Sequence, residues 1–177
     1  GNCRRDHPGT EHSLNGRFLK DPKETSERHM LVDLVRNDLS ALCQHGSVQI
    51  QNFREVESYA HLHHLVSTIS GKLKENISME EIVRAMLPGG SITGCPKART
   101  IEWIDQLEPC FRGPYTGSFG SLHDNGDLHL NLIIRSMIIL HDRCYTQAGG
   151  GIVVNSTPEY EYRENQTKAQ ALLDLIK

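Results

Sequence analysis

The segment Pro88-Gly-Gly-Ser-Ile-Thr-Gly-Cys-Pro-Lys97 lies between two amphipathic runs and has the residue types of a ligand loop. Glycine has no Cβ, so backbone N–H groups around Gly89, Gly90 and Gly94 can turn toward a bound group at close range. Pro96 suits the first turn of a helix, which would put Ser91 to Cys95 at a helix N-terminus. Free N–H groups and the helix dipole favour an anion there. A plain helix–helix connection could use the same residues. A P-loop is a poor fit: the Gly89 to Gly94 spacing is right, but Cys95-Pro96-Lys97 stands where Gly-Lys-Ser/Thr should follow.

Acids and bases elsewhere have spacings that could do chemistry. Glu24 and Glu27 are three apart in a helical run, so they share a face. Glu161, Glu164 and Lys168 share a face of another. Taken alone, the first pair complements a helix dipole and the second is a solvated charged face. His61, His63 and His64 fall in a strand-like run, with His61 and His63 on one face and His64 on the other. No cysteine or further carboxylate sits at ligand spacing, which argues against zinc. Arg135 reads as an inward cation on an apolar strand, so it needs an anion, either a structural partner or a bound one.

Capping and periodicity set out the elements that must hold these residues. Residues 6–20 are polar and read as loop. Asp21 caps and Pro22 starts a helix to about Asp38, with Met30, Leu31, Leu34 and Val35 as its apolar stripe. Ser47 to Glu57 alternates as a strand, and a second runs from Tyr59 to about Ile69. Ser78-Met-Glu-Glu81 is a capping box opening a helix to about Met86. Another helix runs from Pro96 to about Leu107 and buries Ile101, Ile104 and Leu107. Gly113-Pro-Tyr115 turns into a strand ending near Leu122, and Asn125-Gly126 is a hairpin turn. Asp127 to Leu140 reads as one long strand with Arg135 facing away from Leu128, Leu130, Leu132 and Ile134. Arg143 to Ala148 is the next strand and enters Gly149-Gly150-Gly151. Ser156-Thr-Pro-Glu159 opens a last helix to the C-terminus that buries Ala169, Leu172, Leu173 and Ile176. The plan is α+β, with antiparallel strands and packed helices.

The 177 residues are enough for one ordinary domain. A net charge of −3 points to neither a nucleic-acid nor a membrane surface, and no apolar run approaches a membrane span. Five cysteines without CxxC pairing argue for reduced thiols in a cytoplasmic protein.

In order along the chain, the segments from about Asp21 to Lys177 resemble the chorismate-utilising enzymes. Pro88–Lys97 resembles their Pro-Gly-Gly-Ser-Ile-Thr-Gly-x-Pro-Lys signature. Lys23–Asp38 is similar to KE-x-x-E-x-x-MLVDL-x-RND, and Tyr59–Ser67 to YSHVMHLVS. The segments GPYTG, IIRS and QAGGGIV follow, and Pro158–Glu164 resembles PE-x-E-x-x-E. Within the family the likeness is to aminodeoxychorismate synthase component I (4-aminobenzoate synthase component I), with anthranilate synthase component I next. Anthranilate synthases more often carry Thr at Ser91 and Ser at Thr93.

The resemblance implies the C-terminal part of the chorismate-binding fold, with antiparallel sheets and packed helices. On this reading residues 1–20 are a loop continuing from a missing N-terminal part, and residues 21–177 are the C-terminal portion of the domain. It implies an aminotransferring synthase that uses Mg²⁺ to convert chorismate to 4-amino-4-deoxychorismate, toward 4-aminobenzoate and folate. A separate glutamine amidotransferase subunit would supply the ammonia. The rivals are amination at C2 with loss of pyruvate, as in anthranilate synthase, and a non-catalytic fragment. The isolated chain is expected to be inactive or nearly so.

Residue by residue, the resemblance makes Glu27 and Glu164 direct Mg²⁺ ligands, with Glu24 and Glu161 orienting them or bridging through water. Four acids on two helix faces are the hard oxygen donors such an ion takes. His64 corresponds to the active-site histidine and Ser91 to a hydroxyl contacting substrate beside it. Arg135 and Tyr115 would hold a substrate carboxylate. Gly149 and Gly151 would give N–H donors, and Lys168 a further positive charge.

Overall fold

The computed structural model describes residues 2–4, 22–58 and 62–176, with side chains described at 26–27, 29–53, 55–57 and 66–176. The chain divides into two compact units, Gly1–Gly94 and Cys95–Lys177.

The first unit joins a three-stranded antiparallel sheet, in the order β1-β3-β2, to helices. The short strand β1 (Asn2–Arg4) pairs with β3 (Leu62–Ser70), Asn2 opposite His64 and Arg4 opposite Leu62. This corrects the expectation of loop throughout 1–20. Three residues without alternation carry no strand signal of their own; the edge of β3 supplies the pairing. The remainder of that expected loop, from 5 to 20, lies outside the described residues. Strand β2 (Gln49–Ser58) pairs with β3 from Gln49–Ser70 to Ser58–His63, with register shifts between Ile50 and Glu55.

Helix α1 (Pro22–Leu42) runs a turn beyond the expected Asp38. Val32, Leu34, Leu42 and Cys43 are the buried apolar residues of the described chain. Leu34, Asp38 and Leu42 repeat every four positions, so all three lie on one buried face. The helix therefore extends because its buried face does, and it carries a carboxylate in the middle. The capping box expected for α2 (Met79–Met86) is present: Glu81 N donates to Ser78 Oγ at 3.2 Å, and Ser78 N to Glu81 Oε2 at 2.8 Å.

The glycine segment differs from the reading of its sequence. Gly90–Thr93 form their own single-turn helix, α3, closed by Gly94 N donating to Gly90 O at 2.8 Å. Gly94 then takes φ 112°, a conformation side-chain-bearing residues avoid, and this separates α3 from the next helix. Pro96 caps that helix, α4 (Lys97–Leu107), from just outside it. Ser91 thus sits inside α3 and not at the N-terminus of α4.

The second unit carries α4, two antiparallel hairpins and a terminal helix. Strand β4 (Ser118–Leu122) pairs with β5 (Leu128–Leu132) through a turn in which Gly126 N donates to His123 O at 2.9 Å. Gly126 has φ 89° there, and Asn125 Oδ1 accepts from Asp127 N, so the Asn-Gly pair does lie in the hairpin turn. Strand β6 (Met137–Leu140) pairs with β7 (Arg143–Thr146).

The single strand expected from Asp127 to Leu140 is broken between β5 and β6. Arg135 has φ 52°, and Ile134 N turns back to Leu132 O at 3.0 Å. Ile133 bonds instead to the Tyr115 loop, through Thr116 N to Ile133 O and Ile133 N to Gly117 O. Helix α5 (Pro158–Leu173) has Pro158 in its first turn and Thr157 as cap, and a 3₁₀ turn, Asp174–Ile176, follows. The architecture is α+β, as the sequence implied.

Candidate functional site

In the first unit, α1 and α3 meet at the glycine segment. Gly90 is buried, and its N–H donates to Asp38 Oδ2 at 2.8 Å. Thr93 Oγ1 donates to Gly89 O at 3.1 Å, which tightens the turn around the half-buried Ser91. Glu27 is half-buried on α1. The side chains of Glu24 and His64 lie outside the described ones, as do residues 59–61 with His61.

In the second unit, the face of α5 comes against the glycine run. Glu161 is buried, at 6% exposure, so the solvated charged face that local reading suggests is not what forms. Lys168 Nζ pairs with Glu164 Oε1 at 2.7 Å and donates to Gly149 O at 3.0 Å. A Cβ on Gly150 would stand 3.3 Å from Glu161 Oε2 and 3.4 Å from both Asn165 Oδ1 and Lys168 Nζ. A Cβ on Gly149 would stand 2.9 Å from Tyr115 Oη. So Tyr115, Gly149, Gly150, Glu161, Glu164, Asn165 and Lys168 gather at one place, with Gly151 next along the chain. The glycines let backbone and side-chain polar atoms approach closer than a β-carbon would allow.

Tyr115 is held from its own loop. Arg112 chelates Glu108, with Nη2 to Oε1 at 2.6 Å and Nε to Oε2 at 2.9 Å, and donates to Thr116 Oγ1 at 3.2 Å. Its guanidinium lies 6.0 Å from the centroid of the Tyr115 ring. The hydrogen bond to Glu108 raises the Arg112 pKa, so this cation is fixed at any working pH. Burial pushes the Tyr115 phenol above its ordinary value, and the charges of Arg112 and Arg135 pull part of the way back. The phenol is therefore a hydrogen-bond donor near neutrality, and Arg135 is close enough to act on it electrostatically. Gln147 Nε2 donates to Phe111 O at 3.1 Å, tying the start of the glycine run to the same loop.

Arg135 is corrected in its setting. It does not lie on an inward strand face; it sits exposed in the break between β5 and β6 at positive φ. Among the described residues it forms no salt bridge, so the structural ion pair is not its role there.

Sequence reasoning missed Asp38, Arg112, Gln147 and Asn165. Asp38 and Gln147 stand inside matched motifs, but nothing in their spacing marks them as contacts.

The oxygens here suit a hard divalent cation. Glu161 offers a buried carboxylate, Glu164 a second, and Asn165 Oδ1 is buried and accepts no hydrogen bond from a described residue. Within this unit the described side chains form no cluster of three or more His, Cys, Asp and Glu. A cation would take at most two carboxylates from it, Glu161 and Glu164.

The family of chorismate binding enzymes matches residues 3–174. The chain belongs to that family. It is similar to aminodeoxychorismate synthase component 1 of Bacillus subtilis (strain 168), 41% identical over 162 residues, covering 92% of this chain and 34% of that protein. It is 40% identical over 169 residues to an anthranilate synthase component 1 of Haloarcula marismortui, covering 96% of this chain and 35% of that one. The crystal structure of anthranilate synthase component I from Streptococcus pneumoniae TIGR4 superposes with a TM-score of 0.79 at 38% identity, covering 96% of this chain and 38% of that one. The chain spans about a third of the length of these chorismate-family relatives.

Proposed function

We propose that this chain belongs to an enzyme that aminates chorismate at C4 in a Mg²⁺-dependent reaction, giving 4-amino-4-deoxychorismate. Residues 21–177 would be the C-terminal portion of its chorismate-binding domain. Ammonia would come from a glutamine amidotransferase partner, in the cytoplasm. No helix among the described residues is long and apolar enough to cross a membrane.

The observation that carries the reading is the convergence of Tyr115, Gly149, Gly150, Glu161, Glu164 and Lys168 on one spot. Chorismate has two carboxylates and a ring hydroxyl. Amination forms a carbon–nitrogen bond and expels that hydroxyl as water, with one proton moving from ammonia to the leaving oxygen. When bound, Mg²⁺ would screen the ring carboxylate and stabilise developing charge. In the second unit Glu164 would hold it, with Glu161 behind it.

The remaining work belongs to this chain's own side chains. The protonated Tyr115 phenol donates to a substrate carboxylate, with Arg135 supplying the matching charge. Backbone N–H groups of Gly149 and Gly151 donate to the same group. Lys168 fixes the orientation of Glu164 and adds a positive charge. Ser91 would contact substrate from the tightened α3 turn, and His64 would take the part of the family's active-site histidine.

Ser91 and Thr93 in the glycine signature favour C4 chemistry. The near-equal identity to an anthranilate synthase supports the second reading, amination at C2 with loss of pyruvate. Separation of the products by chromatography and mass spectrometry tests this. The native protein, given chorismate, Mg²⁺ and ammonium, is expected to release 4-amino-4-deoxychorismate; anthranilate with stoichiometric pyruvate would overturn the assignment to C4.

A further inference from the structure

We propose that Asp38 is a positioning residue for the chorismate site, setting the place of Ser91 through the backbone of Gly90. This inference rests on the reading of Ser91 as a substrate contact.

The first N–H groups of any helix have no partner within it, and a buried one must find an acceptor elsewhere. In a single-turn helix nearly every donor is of this kind. Ile92 N and Thr93 N reach Gly89 O, and Gly94 N reaches Gly90 O. Gly90 N has no such option and is buried. Asp38, fifty-two residues earlier on α1, provides the acceptor at 2.8 Å. A carboxylate is the stronger acceptor for a backbone N–H, and its bond is more strictly placed.

The fit around Gly90 is close on two sides. A Cβ there would stand 3.2 Å from Asp38 Oδ2 and 3.3 Å from Leu34 Cβ, so α3 rests directly on one turn of α1. Asp38 itself is only 6% exposed, on the apolar face shared by Leu34 and Leu42. Its carboxylate is almost wholly withdrawn from solvent. A carboxylate placed in an apolar stripe is costly unless its bonds are made. Here one of those bonds ends on the residue next to Ser91. The side chain thus acts on substrate only by fixing the turn that presents the hydroxyl.

Four variants of the native full chain test this, with ammonium as nitrogen source: Asp38→Ala, Asp38→Asn, Gly90→Ala and Ser91→Ala. Two readouts are needed, amide hydrogen exchange at Gly90–Thr93 and the separate kcat and KM for chorismate. Asp38→Ala is expected to raise exchange at Gly90 about tenfold or more while the α1 amides stay protected, and to lower kcat/KM about tenfold, the loss of one buried charged hydrogen bond. Asp38→Asn keeps an acceptor oxygen and should stay within about threefold of wild type, a rescue that a purely structural role would not give. Gly90→Ala leaves Asp38 in place, pushes the turn from the other side, and should lower kcat/KM in the same direction.

Unchanged exchange at Gly90 in Asp38→Ala overturns the proposal. So does exchange raised evenly through the whole unit with Asp38→Asn as damaged as Asp38→Ala, the pattern of a general fold defect. If Ser91→Ala leaves chorismate kinetics untouched, it is the reading of Ser91 that fails. The exchange data then decide the positioning claim alone: an increase confined to Gly90–Thr93 sustains it, and none refutes it.

Discussion

Substituting alanine at Gly149 isolates the contact between the glycine run and Tyr115. The new methyl would stand 2.9 Å from Tyr115 Oη. Ordinary carbon–oxygen contact begins about 0.5 Å further out, so something must retreat by that much. The obstacle is the free end of a side chain, and the Gly149 backbone lies outside the left-handed region, so alanine itself is tolerated. The cost in stability should be about 1 kcal/mol, seen as a melting temperature lower by roughly 2–4 °C. The cost in function should be larger. A misplacement of about 1 Å at a binding group can cost about a hundredfold in rate, so a retreat of about half that is expected to lower kcat/KM for chorismate roughly tenfold.

The assay is steady-state kinetics on the native protein in a cycle with Tyr115→Phe. If the methyl acts through the phenol, the double variant is no worse than Tyr115→Phe alone, because the interacting partner is already gone. A Gly149→Ala enzyme within twofold of wild type would refute the placement of Tyr115 at the site. So would a double variant whose loss is the product of the two single losses.

Other consequences follow from the same contacts. Gly120→Ala should be far more damaging to the fold, since its methyl would overlap the His129 backbone carbonyl, which cannot move without breaking the β4–β5 ladder; chemical denaturation should show a loss of about 3 kcal/mol or more. The Glu81 carboxyl is held below its ordinary value of 4.5, first by the Ser78 backbone N–H and then by the Ser78 hydroxyl. A lowered acid stabilises above its unfolded value and loses that contribution as pH falls through the folded one. The first turn of α2 should therefore fray below pH 4.5, read as faster amide exchange at Glu81, and Glu81→Gln should flatten the dependence. Tyr115 is shifted upward by burial, so its contribution to stability is complete below pH 10 and is lost as pH rises through the folded value. Ultraviolet titration should find Tyr115 ionising later than free phenol, a delayed component that Tyr115→Phe should remove.

The sequence spoke plainly where the physics is local. Ser78 and Glu81 close their capping box within one turn, and Thr157 with Pro158 marks the start of α5. Neither depends on anything distant. Tyr115, Gly149, Glu161 and Glu164 fall in segments that resemble the family motifs, and the fold gathers them with Lys168.

Other features depend on tertiary partners and could not be read from spacing. Leu128, Leu130, Leu132 and Ile134 keep an apolar residue at every second position, yet the chain turns at Arg135 because Ile133 is claimed by the Tyr115 loop. Strand β1 exists because β3 has an edge to offer. Asp38 interrupts an apolar stripe and looks like a surface residue until Gly90 N is found against it. Glu161 reads as solvated by charge pattern and is buried by the approach of Gly150. Helix α3 arises because Gly94 admits a φ of 112° that ends it after one turn.

On the proposed function, Glu161 and Glu164 of α5 bind chorismate through a divalent cation. Calorimetric titration of chorismate into the native protein, with and without Mg²⁺, tests it most directly when repeated with Glu161→Gln and Glu164→Gln. The heat of binding is expected to require Mg²⁺ and to disappear in both variants while their melting curves stay near wild type. Chorismate binding of equal strength without the metal, or unaltered in both variants, would contradict it.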